Sequence, residues 1–91
     1  MALKLRWTNR ALGRLDGIAA YIAKDIPQRA ESFTNELRKK VEILKSQQIG
    51  TAWKIFGTKQ YVLHPSYIAI YKVKGGEVQI LTILHSAQEQ K

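Results

Sequence analysis

The hydrophobic period changes once along the 91 residues, and this change limits the possible folds more than any other feature. Before Gly50, apolar residues recur at spacings of three and four, which is the period of one helix face. After Gly50, short runs of β-branched and aromatic residues are bounded by turn residues, which is typical of strands. A helical half followed by a strand half predicts an α+β chain with helices on one face of a sheet.

The helical half contains two predicted helices. The first covers 9–23, and Thr8 can cap it because its hydroxyl can accept a hydrogen bond from an unpaired amide of the first turn. The second covers 27–46 and begins at a proline, whose missing N–H is no loss at a first helical position. Gly13 and Gly17 each cost the first helix roughly 1 kcal/mol against alanine, but they would let another backbone approach closely.

Four strands are predicted around these helices. One precedes them at 4–7, and three follow at 58–63, 67–74 and 77–85, the last two joined by a Gly-Gly hairpin turn. There is no linker or repeat, so the chain is expected to form one domain over 1–91. The predicted fold is an α+β two-layer sandwich, in which an N-terminal strand and a helical hairpin pack on a mostly antiparallel sheet.

The predicted hairpin turn also sets the register of the last two strands. A two-residue turn places Tyr71 opposite Ile80 and Tyr67 opposite Leu84, with all four side chains on one face of the sheet. The other face has a charged tip and an apolar body, as expected of the face that carries the helices. The first face is therefore expected to be free, and an apolar, aromatic free face is a candidate binding surface.

Composition narrows the class of partner. Fifteen Lys and Arg residues stand against seven Asp and Glu, a net charge of +8. This charge suits nucleic acid, an acidic protein or an anionic membrane surface, without choosing among them. Cysteine is absent, so disulfides and thiolate chemistry are excluded. No apolar run approaches about 18 residues and no signal peptide is present, so a cytoplasmic location without membrane insertion is expected.

Few residues offer chemistry. The sequence has no zinc-protease, phosphate-loop or serine-hydrolase motif, so neither a metal nor a cofactor is expected. His85 ends the last predicted strand and is either an acid–base group active near neutral pH or a structural histidine. Lys54 follows Trp53, and Lys59 is two residues from Tyr61; Phe56 lies between the two lysines. Either these lysines bind phosphates while rings stack on bases, or the rings are core and the lysines lie along them.

The pattern W-T-x-x-A-x-x-x-L-x-x-I-x-x-Y-I-A covers 7–23, G-T-K-Q-Y-V-L covers 57–63, and V-Q-I-L-T-I-L-H covers 78–85. Together they resemble the ParE-type toxins of the RelE/ParE superfamily over nearly the whole chain. The resemblance implies a small basic toxin of a type II toxin–antitoxin pair, held by its antitoxin in a hetero-oligomer. ParE-like members poison DNA gyrase, whereas RelE-like members cleave mRNA in the ribosomal A site without a metal.

The chain departs from the family pattern at late positions. The family often has arginine where this sequence has Lys59 and Thr82, and its usual H-G-A-R tail is here H-S-A-Q, from His85 to Gln88. Arginine holds a phosphate through two parallel hydrogen bonds, which threonine and glutamine cannot do. The departures speak against a RelE-like ribonuclease.

The resemblance therefore implies a ParE-like toxin that acts on gyrase and is more a binding protein than an enzyme. One alternative is a ribosome-dependent mRNA endonuclease with His85 as its acid–base group. Another is an inactivated member that retains only antitoxin binding. The residues predicted to contact the target are Lys54, Lys59, Thr82, His85 and Gln88. The residues predicted to contact the antitoxin are Tyr67, Tyr71, Ile80 and Leu84.

Overall fold

The structure, a computed structural model, describes residues 3–86 as two helices packed on a five-stranded sheet. The elements are β1 (Lys4–Trp7), α1 (Asn9–Ala23), α2 (Pro27–Val41), β2 (Thr51–Ala52), β3 (Lys59–His64), β4 (Tyr67–Lys74) and β5 (Glu77–His85). This is the predicted α+β arrangement. No helix within the described range combines the length and the apolar character needed to cross a membrane.

Both helices begin where the sequence predicted. The Thr8 hydroxyl accepts a hydrogen bond from the Ala11 amide at 3.2 Å, and it also donates to the carbonyl of Ile80 at 2.8 Å. The cap therefore starts α1 and fixes it to β5. Pro27 occupies the first position of α2. The predicted extension of this helix to 46 becomes one turn of 3₁₀ helix over Glu42–Lys45.

The strands are ordered β1-β5-β4-β3-β2. Only the β1–β5 pair is parallel, and the three other pairs are antiparallel, so the predicted, mostly antiparallel sheet is confirmed. The sequence analysis missed β2, which has two residues and lies at an edge. So short a run carries too little alternation to be recognised.

The core lies between the helices and one face of the sheet. The apolar residues that recur at spacings of three and four in the helical half supply its helical side. Its buried residues are Ala11, Leu15, Ile18, Phe33, Leu37, Val41, Leu44, Leu63, Ala69, Tyr71, Val78, Ile80 and Ile83. The amphipathic period therefore selected the correct helix faces.

The predicted register of the last hairpin holds only near its turn. Tyr71 lies opposite Ile80 as expected, but a bulge follows, and Tyr67 lies opposite His85 rather than Leu84. The extra residue of a bulge shifts every later side chain to the other face. His85 therefore shares a face with Tyr67, and the predicted Tyr67–Leu84 pair is wrong.

The predicted assignment of the two faces of the sheet is also wrong. The helices cover the face that carries Tyr71 and Ile80, and both side chains are 0% exposed. Ile68 and Ile70, on the opposite face by strand alternation, are buried as well. Because both faces are apolar, alternation could not show which face the helices cover.

Candidate functional site

An open groove runs between α1 and the ends of β4 and β5. It encloses about 470 Å³ and has an apolar floor beneath an aromatic and basic rim. Its lining residues are Gly13, Arg14, Gly17, Ile18, Tyr21, Tyr67, Ile83 and His85. A second hollow of about 380 Å³ shares three of these, Tyr21, Tyr67 and His85, so the groove continues towards α2.

Two glycines give the groove its depth. Gly13 and Gly17 are four residues apart, so they lie on the same face of α1. A Cβ atom added at either position would meet no atom within 4 Å. The helix backbone is therefore open to close contact with an incoming segment along one full turn.

Aromatic rings form one wall of the groove. The Tyr67 ring makes edge contacts with His85 at 5.4 Å and with Phe33 at 5.8 Å between centroids. His64 lies 6.0 Å from the same ring, and its Nδ1 accepts a hydrogen bond from the Ser66 amide at 3.0 Å. Such edge-to-face packing holds Tyr67 in place.

The charge along the groove is mostly positive. Arg14 lies at one part of the rim, and Arg29 and Asp25 line the second hollow. Burial, with a smaller contribution from the nearby Tyr21 hydroxyl, raises the pKa of Tyr67 above its ordinary value of 10.0. Tyr67 is therefore a neutral, polar-tipped ring at physiological pH, and the arginines supply the charge. An apolar floor with cationic edges suits an acidic, amphipathic segment.

The structure does not bring the predicted target residues into one cluster. Lys59 lies opposite Tyr71 on β4, whereas His85 lies opposite Tyr67. Four residues of extended strand separate these two positions by about 13 Å. The Lys59 ammonium donates to the Gln48 carbonyl at 3.1 Å, at the end of the sheet away from the groove.

The other predicted target residues are also dispersed. Thr82 pairs with Ile70 on the face away from the helices and is only 7% exposed, so it cannot contribute to an exposed rim. Lys54 lies in the β2–β3 loop, with its ammonium 5.1 Å from the centre of the Trp53 ring. Gln88 lies outside the described residues.

The buried Thr82 hydroxyl leads to a stability prediction. Within residues 3–86, no hydrogen-bond partner of this oxygen is found. We expect Thr82→Val to stabilise the protein by about 1 kcal/mol, because valine has the same shape and removes an unpaired buried group. Urea unfolding measures the change.

Thr58→Val is the matched control. Thr58 is similarly buried, but its hydroxyl donates to the Ile55 carbonyl at 2.5 Å. The same substitution should therefore destabilise the protein by about 1 kcal/mol. A loss of stability in both variants would mean that the Thr82 hydroxyl does have a partner.

The predicted antitoxin residues divide between three environments. Tyr67 lines the groove. Leu84 is half-buried and pairs with Ile68 on the opposite face of the sheet. Tyr71 and Ile80 lie in the core, so no partner can reach them in the folded chain.

Sequence reasoning missed part of the groove. The open glycines were recognised as a place of close approach, but Arg14, Tyr21 and Ile83 were not connected with them. Tyr21 is 68% exposed despite its apolar ring, which sequence alone does not reveal. The β5 bulge brings Ile83 to this face. Among residues 3–86 no group of three or more His, Asp or Glu side chains could hold a metal ion.

Comparison with known proteins identifies the family. Residues 5–90 match the profile described as "ParE toxin of type II toxin-antitoxin system, parDE". A Sinorhizobium fredii protein named "Putative toxin Y4kP" is 38% identical over 88 residues, which cover 94% of this chain and 91% of that protein.

Solved structures agree with this assignment. A chain from the "Chromosomal ParDE TA system from P. aeruginosa" superposes with a TM-score of 0.87 and is 27% identical, covering 92% of this chain and 96% of that one. A chain of the RelBE2 toxin–antitoxin complex from Mycobacterium tuberculosis has a TM-score of 0.62 and 17% identity, covering 93% and 92% of the two chains. The second match shows a shared fold alone. Because the family profile spans nearly the whole sequence, this chain belongs to the ParE toxin family of type II toxin–antitoxin systems.

Proposed function

We propose that this chain is a toxin that inhibits DNA gyrase and is neutralised by an antitoxin segment bound in the α1 groove. The observation that carries the gyrase target is the match to the ParE profile over residues 5–90. The RelE-like alternative has weaker support, since the RelBE2 likeness is one of fold. The buried Thr82 also leaves no room for a phosphate contact at a position where the family often has arginine.

The groove supports the antitoxin half of the proposal. Its floor of Gly13, Gly17 and Ile18 would bury apolar side chains of an incoming segment, and Arg14 and Arg29 would pair with its acidic residues. A toxin with a net charge of +8 would attract an acidic partner over a distance and speed its association. The partner is expected to be the protein encoded by the neighbouring gene.

Two measurements test the target. After induced expression in a bacterial host, pulse-labelling should show that DNA synthesis stops before protein synthesis. In vitro, the purified chain should inhibit supercoiling by DNA gyrase, and a molar excess of the antitoxin should restore it.

Arrest of protein synthesis first, with transcripts cleaved at ribosomal A sites, would contradict the gyrase target and support the endonuclease. Harmless expression with antitoxin binding retained would indicate an inactivated family member.

A further inference from the structure

The β2–β3 loop presents an aromatic side chain that the fold does not use. Phe56 is 101% exposed, and its neighbour Ile55 is 55% exposed. Sequence analysis left open whether Phe56 belongs to the core, and the structure excludes this for Phe56. A fully exposed phenylalanine buries no apolar surface on folding, so this side chain contributes no hydrophobic stabilisation to the fold.

The loop holds Phe56 on a well-defined turn. The Ile55 carbonyl accepts hydrogen bonds from both the amide and the hydroxyl of Thr58, at 3.1 and 2.5 Å. Gly57 takes a φ of +83°, which favours glycine at the third position of such a turn. The Trp53 amide closes the base of the loop by donating to the Thr58 carbonyl at 3.1 Å. Phe56 therefore lies at the corner of a pre-organised turn, and little conformational entropy would be lost when a partner buries it.

Other exposed apolar and basic groups lie beside this turn. A hollow of about 300 Å³ next to Phe56 contains Gly57 of the turn, and Val73, which is 45% exposed, forms part of its wall. Lys59 and Lys72 line the same hollow. Lys54 belongs to the loop itself. No carboxylate lines this hollow within the described residues. We name this surface the Phe56 patch; it consists of Lys54, Ile55, Phe56, Lys59, Lys72 and Val73.

The Phe56 patch is separate from the groove. Lys59 belongs to the patch and His85 to the groove. They lie opposite Tyr71 and Tyr67 of β4, which are four positions and about 13 Å apart along the strand. The groove has arginines and a glycine floor, whereas the patch has lysines and a protruding aromatic ring. The two surfaces therefore suit different partners.

We propose that the Phe56 patch is where the toxin docks on its target protein, at an acidic surface with an apolar pocket that receives the Phe56 ring. This inference rests on the proposed toxin function. Charge complementarity selects the acidic surface, because the patch offers three lysines. The exposed aliphatic side chains of Ile55 and Val73 belong to the same patch and favour a protein pocket over stacked bases. The other ring of the loop, Trp53, is partly buried and has the Lys54 ammonium 5.1 Å from its centre, so Phe56 is the ring that this patch exposes fully.

Phe56→Ser tests the proposal, together with Lys72→Glu. The controls are Val62→Ser, which removes an exposed apolar side chain from β3 outside the patch (61% exposed), and Lys39→Glu on α2. Each variant is induced in a bacterial host to follow growth arrest. Each is also labelled and titrated with purified DNA gyrase by fluorescence anisotropy, and circular dichroism checks that it is folded.

We expect Phe56→Ser to weaken gyrase binding by about 30-fold or more and to abolish growth arrest, as is typical of an aromatic anchor. Lys72→Glu should weaken binding by about 10-fold, mainly through slower association. Both controls should remain within about twofold of the wild type.

Retained growth arrest in Phe56→Ser would overturn the docking proposal, whatever the target. If the wild type does not bind gyrase but Phe56→Ser still loses toxicity, the gyrase proposal fails and the docking proposal stands. A parallel titration with a single-stranded DNA oligonucleotide tests whether the patch binds nucleic acid instead. Tight binding of the oligonucleotide that depends on Phe56 would identify a nucleic-acid surface and overturn the proposal of a protein partner.

Discussion

Leucine at both Gly13 and Gly17 is expected to lower the affinity for the antitoxin by about 100-fold or more, while the folded toxin becomes more stable. Both positions lie open in the groove, so the added side chains would occupy the space proposed for the partner. Leucine also favours a helix interior over glycine by roughly 1 kcal/mol at each position. Isothermal titration with the antitoxin measures the affinity, and thermal unfolding measures the stability.

Two controls separate groove filling from other effects. Alanine at both glycines gives a similar gain in helix propensity with much less added volume, so its loss of affinity should be about 10-fold at most. Asn35→Leu adds apolar bulk at an exposed position of α2 that lines neither hollow, so the affinity of this variant should stay unchanged. Undiminished binding by the double leucine variant would mean that the antitoxin uses another surface.

Tyr71→Ala is expected to reduce the free energy of unfolding by about 4 kcal/mol, as large-to-small substitutions of buried aromatic residues do. Small domains have only about 5–15 kcal/mol of stability, so this loss is severe. The Tyr71 ring is fully buried, and its hydroxyl donates to the Ile49 carbonyl at 2.5 Å. Tyr71→Phe keeps the ring but removes this bond, and should cost about 1–2 kcal/mol.

Denaturant unfolding checks these values, with Tyr21→Ala as the exposed control, expected to change stability by less than about 0.5 kcal/mol. Burial, with a smaller contribution from Tyr61, also raises the pKa of the Tyr71 hydroxyl. The folded chain holds this proton more tightly than the unfolded chain. Stability is therefore intact below the unfolded pKa of about 10 and falls as the pH rises beyond it. A stable Tyr71→Ala variant that has lost antitoxin binding would contradict the core placement.

The elements of the fold were largely predictable because local physical chemistry specifies them. Thr8 and Pro27 begin the helices through hydrogen-bonding needs that involve only the adjacent turn. The Gly-Gly turn closes the β4–β5 hairpin because glycine tolerates positive φ, here +62° and +76°. The spacing of apolar residues predicted which face of each helix is buried, because the apolar face of a helix packs against the core.

The candidate sites were less predictable because they depend on contacts between distant segments. The β5 bulge brought Ile83 and His85 to the side of Tyr67, and no local signal marked it. Lys59 and His85 were grouped by sequence reasoning, yet they lie at opposite ends of the sheet.

By itself, the sequence determined where the two helices and the four longer strands form, since period, caps and turns act over a few neighbouring residues. Only the tertiary structure decided which sheet face the helices cover. Both faces are apolar, and the outcome depends on packing summed over the whole core. That choice buried Tyr71 and Ile80, and it placed Tyr67 and Ile83 in the groove beside α1.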